Sequence, residues 1–179
     1  MSDIKKLVDE AFSDTDFELS SIPKLDLYMD QILSLLDDGE NKHDSGEKSI
    51  TKTMINNYRK ENLIMPIKGK KYSRKQIMQL LCIMNLKQNL SLIDIQPLIH
   101  CDDSDTDIDL EGAYEQALIW KKVMAHEFES VILRLFSEID GEITQQTALA
   151  MALAVSSGAT YLKRFCEQIA DNCKDPSSS

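Results

Sequence analysis

Small hydroxyls and carboxamides cluster beside a run of cations in one short part of this chain. Thr51, Thr53, Asn56 and Asn57 stand within seven positions of one another, with Lys52 among them and Arg59 two positions beyond. Lys68, Lys70, Lys71, Tyr72 and Arg74 follow directly. A carboxamide donates and accepts side by side, so Asn56 has the geometry to pair with an adenine edge, and threonine hydroxyls serve base edges or phosphate oxygens. A helix opening at Thr51 would add the positive end of its dipole, which favours phosphate. The cations would hold the flanking backbone and fix the register.

Charge is distributed in keeping with that chemistry. The whole chain carries −10, yet Lys48 to Lys87 holds ten basic residues against the single acid Glu61. That stretch is +9 and the remainder −19. Attraction to a polyanion follows the local field and not the total.

Other constellations point elsewhere less well. Asp103, Asp105 and Asp107 alternate as in a calcium loop, but such a loop wants glycine at its sixth position and glutamate at its twelfth. From Asp103 those positions hold Ile108 and Tyr114, and from Asp105 they hold Leu110 and Gln116. A solvated acidic loop is expected. His100-Cys101 has no further ligands at metal-binding spacing, and His126 lies alone. Cys82, Cys101, Cys166 and Cys173 form no CxxC pair and read as reduced thiols of a cytoplasmic protein. No phosphate-cradling glycine loop, GxSxG or HExxH is present. No enzyme, cofactor or metal is expected.

Only six Gly and four Pro punctuate the 179 residues, so long helices are expected between breakers. Residues 1–22 read as an acidic arm or short helix. Pro23 opens a helical pattern (Leu25, Tyr28, Met29, Ile32, Leu33, Leu36) that ends near Gly39, and residues 37–48 read as an inserted polar loop. Thr51 caps a helix burying Met54, Ile55 and Tyr58; Asn62 supplies its left-handed cap. Lys-Gly-Lys-Lys at 68–71 suits a tight turn or small wing. Ser73 with Gln76 makes a capping box for a helix to about Asn89, and Ser91 with Asp94 starts a shorter one. Residues 101–109 form an acidic linker. Residues 110–179 read as a helical hairpin, its first helix burying Tyr114, Leu118, Val123, Phe128, Val131, Ile132 and Leu135, its second Ala-rich. The most apolar stretch, Ala148–Ala159, is short of the roughly 20 residues a membrane span needs, so no membrane is expected. Met1–Asp9 lacks the apolar core of a secretory leader.

Three groups of residues carry a resemblance. Tyr58-Arg-Lys-Glu-Asn-Leu-Ile-Met-Pro66 is followed by Lys70-Lys71-Tyr72-Ser73 and then by Leu86-Lys-Gln-Asn-Leu-Ser-Leu-Ile-Asp-Ile95. In that order, Ile50–Ile99 resembles the DNA-binding domain of MerR-type regulators: a recognition helix, a basic wing ending in Tyr, and a supporting helix. With Tyr28-Met-Asp-Gln-Ile32, residues 23–99 look like an uncharacterised bacterial family with a MerR-like winged helix. Asn56 and Asn57 stand where MerR-type domains usually carry Arg and Tyr. The fold implied is all-α, or mostly α with a small β wing: a MerR-like winged helix-turn-helix over residues 23–100 plus the C-terminal hairpin.

Residues and resemblance together lead to the expectation of a transcription regulator that binds double-stranded DNA. Its contacts would be Thr51, Lys52, Thr53, Asn56, Asn57, Arg59, Lys68, Lys70, Lys71, Tyr72 and Arg74. The C-terminal helices would complete the core or pair two subunits into a homodimer. The net acidity keeps open a protein-interaction module on the same fold, and a ligand pocket beside the Ala-rich helix is a third reading.

Overall fold

A computed structural model describes residues 2–13, 17–39, 50–67, 69–99, 108–137, 139 and 143–174. Among them the protein is mostly helical, with one small antiparallel sheet. In chain order come α1 (Ser2–Ala11), a single 3-10 turn at Leu19–Ser21, β1 (Leu27–Tyr28), α2 (Met29–Gly39), α3 (Lys52–Lys60), β2 (Lys71–Tyr72), α4 (Arg74–Leu86), α5 (Leu92–Ile99), α6 (Leu110–Leu135) and α7 (Gln145–Lys174). No helix among the described residues is long and apolar enough to cross a membrane.

Helix α4 sits at the centre. Gln76 to Leu81 are buried in unbroken succession, joined by Ile83 and Met84. A helix buried on all sides must satisfy any polar group it carries, and both glutamines do so. Gln76 Nε2 donates to the carbonyls of Met65 and Pro66, and its Oε1 accepts from the Ser73 amide at 2.7 Å. Gln79 Oε1 accepts from the Met65 amide at 3.0 Å. The link from α3 to β2 is thereby pinned onto α4, and the Ser73–Gln76 capping pair expected from the sequence starts it.

Around α4 the core collects Ile32 and Leu36 of α2, Ile55 and Tyr58 of α3, Leu63 and Ile64, Ile95 and Ile99 of α5, and Leu110 and Tyr114 of α6. The N-terminal segment belongs to it too, through Leu19 and Ile22. Tyr114 Oη donates to the Phe17 carbonyl at 3.1 Å, fastening α6 to that segment. Helix α1 lies on α6, with Ile4 and Val8 buried.

Two sequence expectations change here. Helix α2 starts at Met29 and not at Pro23, because Leu27 and Tyr28 pair with Tyr72 and Lys71; Leu25, on the expected buried stripe, is 77% exposed. The basic turn is accordingly no self-contained hairpin, since its strand partner comes from ahead of α2. The second change concerns the C-terminal helices. Among the described residues α6 packs on α1 and α4, whereas α7 packs on α5, and the two do not lie along each other as a hairpin. Of the expected buried face of α6, Tyr114 is buried, Leu118, Phe128, Val131 and Ile132 are half-buried, and Val123 and Leu135 are exposed. The loop at 40–49, His100–Asp107 and Gly141 lie outside the described residues, and with them most of the inserted polar loop, the alternating aspartates and Cys101.

Candidate nucleic-acid interface

Helix α3 is built to show one face and bury the other. Thr51 accepts from the Met54 amide at 3.2 Å through its hydroxyl oxygen, which satisfies one of the orphan donors of the first turn. Ile55 and Tyr58 face the core, while Lys52, Thr53, Asn56, Asn57 and Lys60 are exposed. The spacing of Lys52, Asn56 and Lys60 at four residues places them in one row along the helix. Arg59 is half-buried in the last turn, where a cation suits the negative end of the dipole. Burial raises the Tyr58 hydroxyl above its ordinary pKa, so it stays neutral.

Beyond α3 the chain reverses through Asn62, whose φ of 54° is the left-handed conformation that asparagine tolerates best after glycine. Leu63 then donates its amide to the Tyr58 carbonyl at 2.9 Å. A second left-handed residue, Gly69 at φ 76°, turns the chain into β2 with Lys70 and Lys71 exposed.

Two contacts bring this turn and the start of α3 onto one surface. Lys71 Nζ lies 4.9 Å from the centroid of the Tyr28 ring, a cation–π pair across the β1–β2 register. Two residues further along, Asp30 in the first turn of α2 pairs with Lys52 Nζ at 2.5 Å. Tyr28 is itself steadied by its amide, which donates to Gln31 Oε1 at 2.9 Å. The path Lys71–Tyr28–Asp30–Lys52 therefore joins the basic turn to the N-terminus of α3 through the start of α2. No sequence motif announces Tyr28 or Asp30 as part of this surface; both follow from β1.

Several expected contact residues reach the surface: Thr51, Lys52, Thr53, Asn56, Asn57, Lys70 and Lys71. Arg59 does so in part, and Lys68 lies outside the described residues. Tyr72 lies in the interior instead, and Arg74 is half-buried and engaged within the fold. Tyr72 is 1% exposed in the core and so cannot reach a phosphate; its hydroxyl has no hydrogen-bond partner among the described residues. Arg74 spends its guanidinium on the Glu111 carboxylate and on the carbonyls of Ile22 and Leu19. The cause is positional: Tyr72 alternates with exposed Lys71 along β2 and points inward, and Arg74 opens α4 against α6.

The family model for a domain of unknown function, DUF1836, matches residues 17–117. No curated protein and no solved structure gives a match. The matched segment includes β1, α2, α3, β2, α4, α5 and the first part of α6, and so every element that positions the surface just described, while α7 lies beyond it. Spanning more than half of the chain, the match makes this protein a member of the DUF1836 family.

Proposed function

We propose that the protein binds double-stranded DNA as a cytoplasmic transcription regulator with a MerR-like winged helix, α3 entering the major groove and the Lys70–Lys71 turn flanking it as the wing. The observation that carries this reading is the exposed row Lys52, Thr53, Asn56 and Lys60 on α3, joined through Tyr28 to Lys71. Threonine and asparagine would read base edges, and the lysines would hold phosphates. Asp30 sets the terms of engagement, because phosphate must replace it at Lys52.

A protein-interaction module on the same fold is the second reading, favoured by that Lys52–Asp30 pair and by the net charge of −10. Binding of genomic duplex fragments across a salt series separates the two. DNA binding weakens steeply with salt through counterion release, and a Lys70→Ala/Lys71→Ala variant should flatten the log–log slope by about two. Absence of duplex binding at low salt, or an unchanged slope, would favour the second reading.

A further inference from the structure

We infer that α6 and α7 are the surface through which two copies of this chain associate. The first eighteen residues of α7, Gln145–Leu162, contain no Asp, Glu, Lys, Arg or His. All are exposed except Thr147 and Met151, which are half-buried. Among the described residues the helix is anchored toward its end, where Ala170 is buried and Lys174 pairs with Asp94 of α5 at 2.8 Å. A helix this rich in apolar side chains and without charge is ordinarily covered, and this one stands in water. Helix α6 presents a second open face, with Trp120 63% exposed beside Val123 and Met124. Of the sixteen large apolar side chains exposed among the described residues, twelve lie on these two helices.

Areas decide that the deficit is of the size a partner removes. The twelve apolar residues on α6 and α7 are 41–67% exposed, so with large side chains of about 150–200 Å² each they offer on the order of 1,200 Å² per protomer. Stable homodimers bury roughly 2,000–5,000 Å² over both partners together, and two such faces reach the lower part of that range.

The occupant is a second copy because the two open faces suit one another and share a chain. The α7 face is fine-grained, with Ala152, Gly158 and Ala159 allowing close approach, while the α6 face is coarse, led by Trp120. A two-fold axis lays α7 of each protomer against α6 of its partner, so every contact is made twice. Charge-depleted, aromatic-bearing patches are characteristic of interface centres. A lipid surface is a poorer fit: helices that lie on membranes carry a cationic face, and Gln145–Leu162 has no cation. The inference does not rest on the DNA reading, since association is measured without nucleic acid.

Sedimentation equilibrium of the full chain, at low to high micromolar concentration, tests it. The wild type should sediment at twice 20.3 kDa. A Leu149→Glu/Leu153→Glu variant, altering side chains that are exposed in the single chain, should raise the dimer dissociation constant by about a hundredfold or more. Lys60→Glu, on α3, should leave the mass unchanged. Trp120 is the chain's one tryptophan, so its emission reads α6 alone: blue-shifted and protected from acrylamide in the wild type, red-shifted and quenched in the double variant. The inference is overturned by a wild type of single-chain mass throughout, by a dimer that survives both glutamates, or by a mass that keeps growing with concentration. It is equally overturned by a Trp120 quenched as freely in the wild type as in the variant.

Discussion

Arg74 and Glu111, thirty-seven positions apart, meet through two parallel hydrogen bonds, Nε to Oε1 at 2.7 Å and Nη2 to Oε2 at 3.0 Å. The bidentate pair ties the first turn of α4 to the first turn of α6, and the same guanidinium reaches the Leu19 carbonyl at 3.3 Å. One side chain thus holds together the N-terminal segment, the central helix and the first C-terminal helix. Arg74→Ala would strand the carboxylate and both carbonyls, at a cost of about 2 kcal/mol. Glu111→Gln keeps the shape and loses the charge on a partly exposed pair, so about 0.5–1 kcal/mol is expected. Urea midpoints at neutral pH measure both, and equal effects from the two variants would contradict this assignment.

The same pair sets an acid sensitivity. The hydrogen bonds from Arg74 hold Glu111 below its ordinary value of 4.5, and those from Lys174 and Ser91 lower Asp94. A carboxyl lowered on folding contributes stability that is complete above its unfolded value and lost as pH falls through the folded one. Stability should therefore be flat above pH 4.5 as far as these groups are concerned and fall below it. In Glu111→Gln the decline should be shallower. Urea titrations at neutral and acid pH read the difference, and parallel pH curves would contradict the linkage.

Asp30 holds the cation at the head of α3. Asp30→Asn leaves Lys52 free to meet phosphate, so duplex affinity should rise and the salt slope should steepen by about one. Anisotropy titrations at several salt concentrations check this. Weaker binding in the variant would mean that Asp30 positions Lys52 for contact instead of competing for it.

Gln79 is buried and its Oε1 is the partner of the Met65 amide. Gln79→Leu removes that acceptor while nearly conserving volume, leaving a half-buried donor unpaired at about 1 kcal/mol. Because the Met65–Pro66 link leads from α3 to β2, amide exchange over residues 63–67 should quicken as well. An unchanged urea midpoint would contradict the role given to this bond.

Cysteine reactivity is graded by position. Burial pushes the Cys82 thiol up to about 11, so little thiolate forms at neutral pH. Cys173 is exposed on α7. Alkylation followed by mass spectrometry should label Cys173 first and Cys82 only under denaturant. Early labelling at Cys82 would contradict the packing of α4.

Much of this fold is written locally. The Thr51 cap, the left-handed Asn62, the Ser73–Gln76 pair and the Ser91–Asp94 start each depend on residues within a few positions of one another, and each was readable as spacing. What could not be read depends on distant partners. Leu27–Tyr28 satisfies a helical pattern until Lys71–Tyr72, over forty residues later, claims it as a strand. Arg74 reads as one more cation of a basic run until Glu111 faces it. Tyr72 reads as a contact at the end of a lysine turn until the alternation of β2 sends it inward. The C-terminal helices looked like a hairpin because their apolar residues need cover, and periodicity is silent on which helix gives it. The candidate surface was legible for α3 and the lysines, and illegible for Tyr28 and Asp30.

The central claim is that the exposed row of α3 and the Lys70–Lys71 turn meet a duplex together. Backbone-amide NMR shifts on adding a bound genomic duplex test it most directly. The largest changes are expected at Lys52, Thr53, Asn56, Asn57, Lys70 and Lys71, with Tyr28 following and the exposed half of α7 unmoved. Changes confined to α6 and α7, or spread evenly over the molecule, would contradict it.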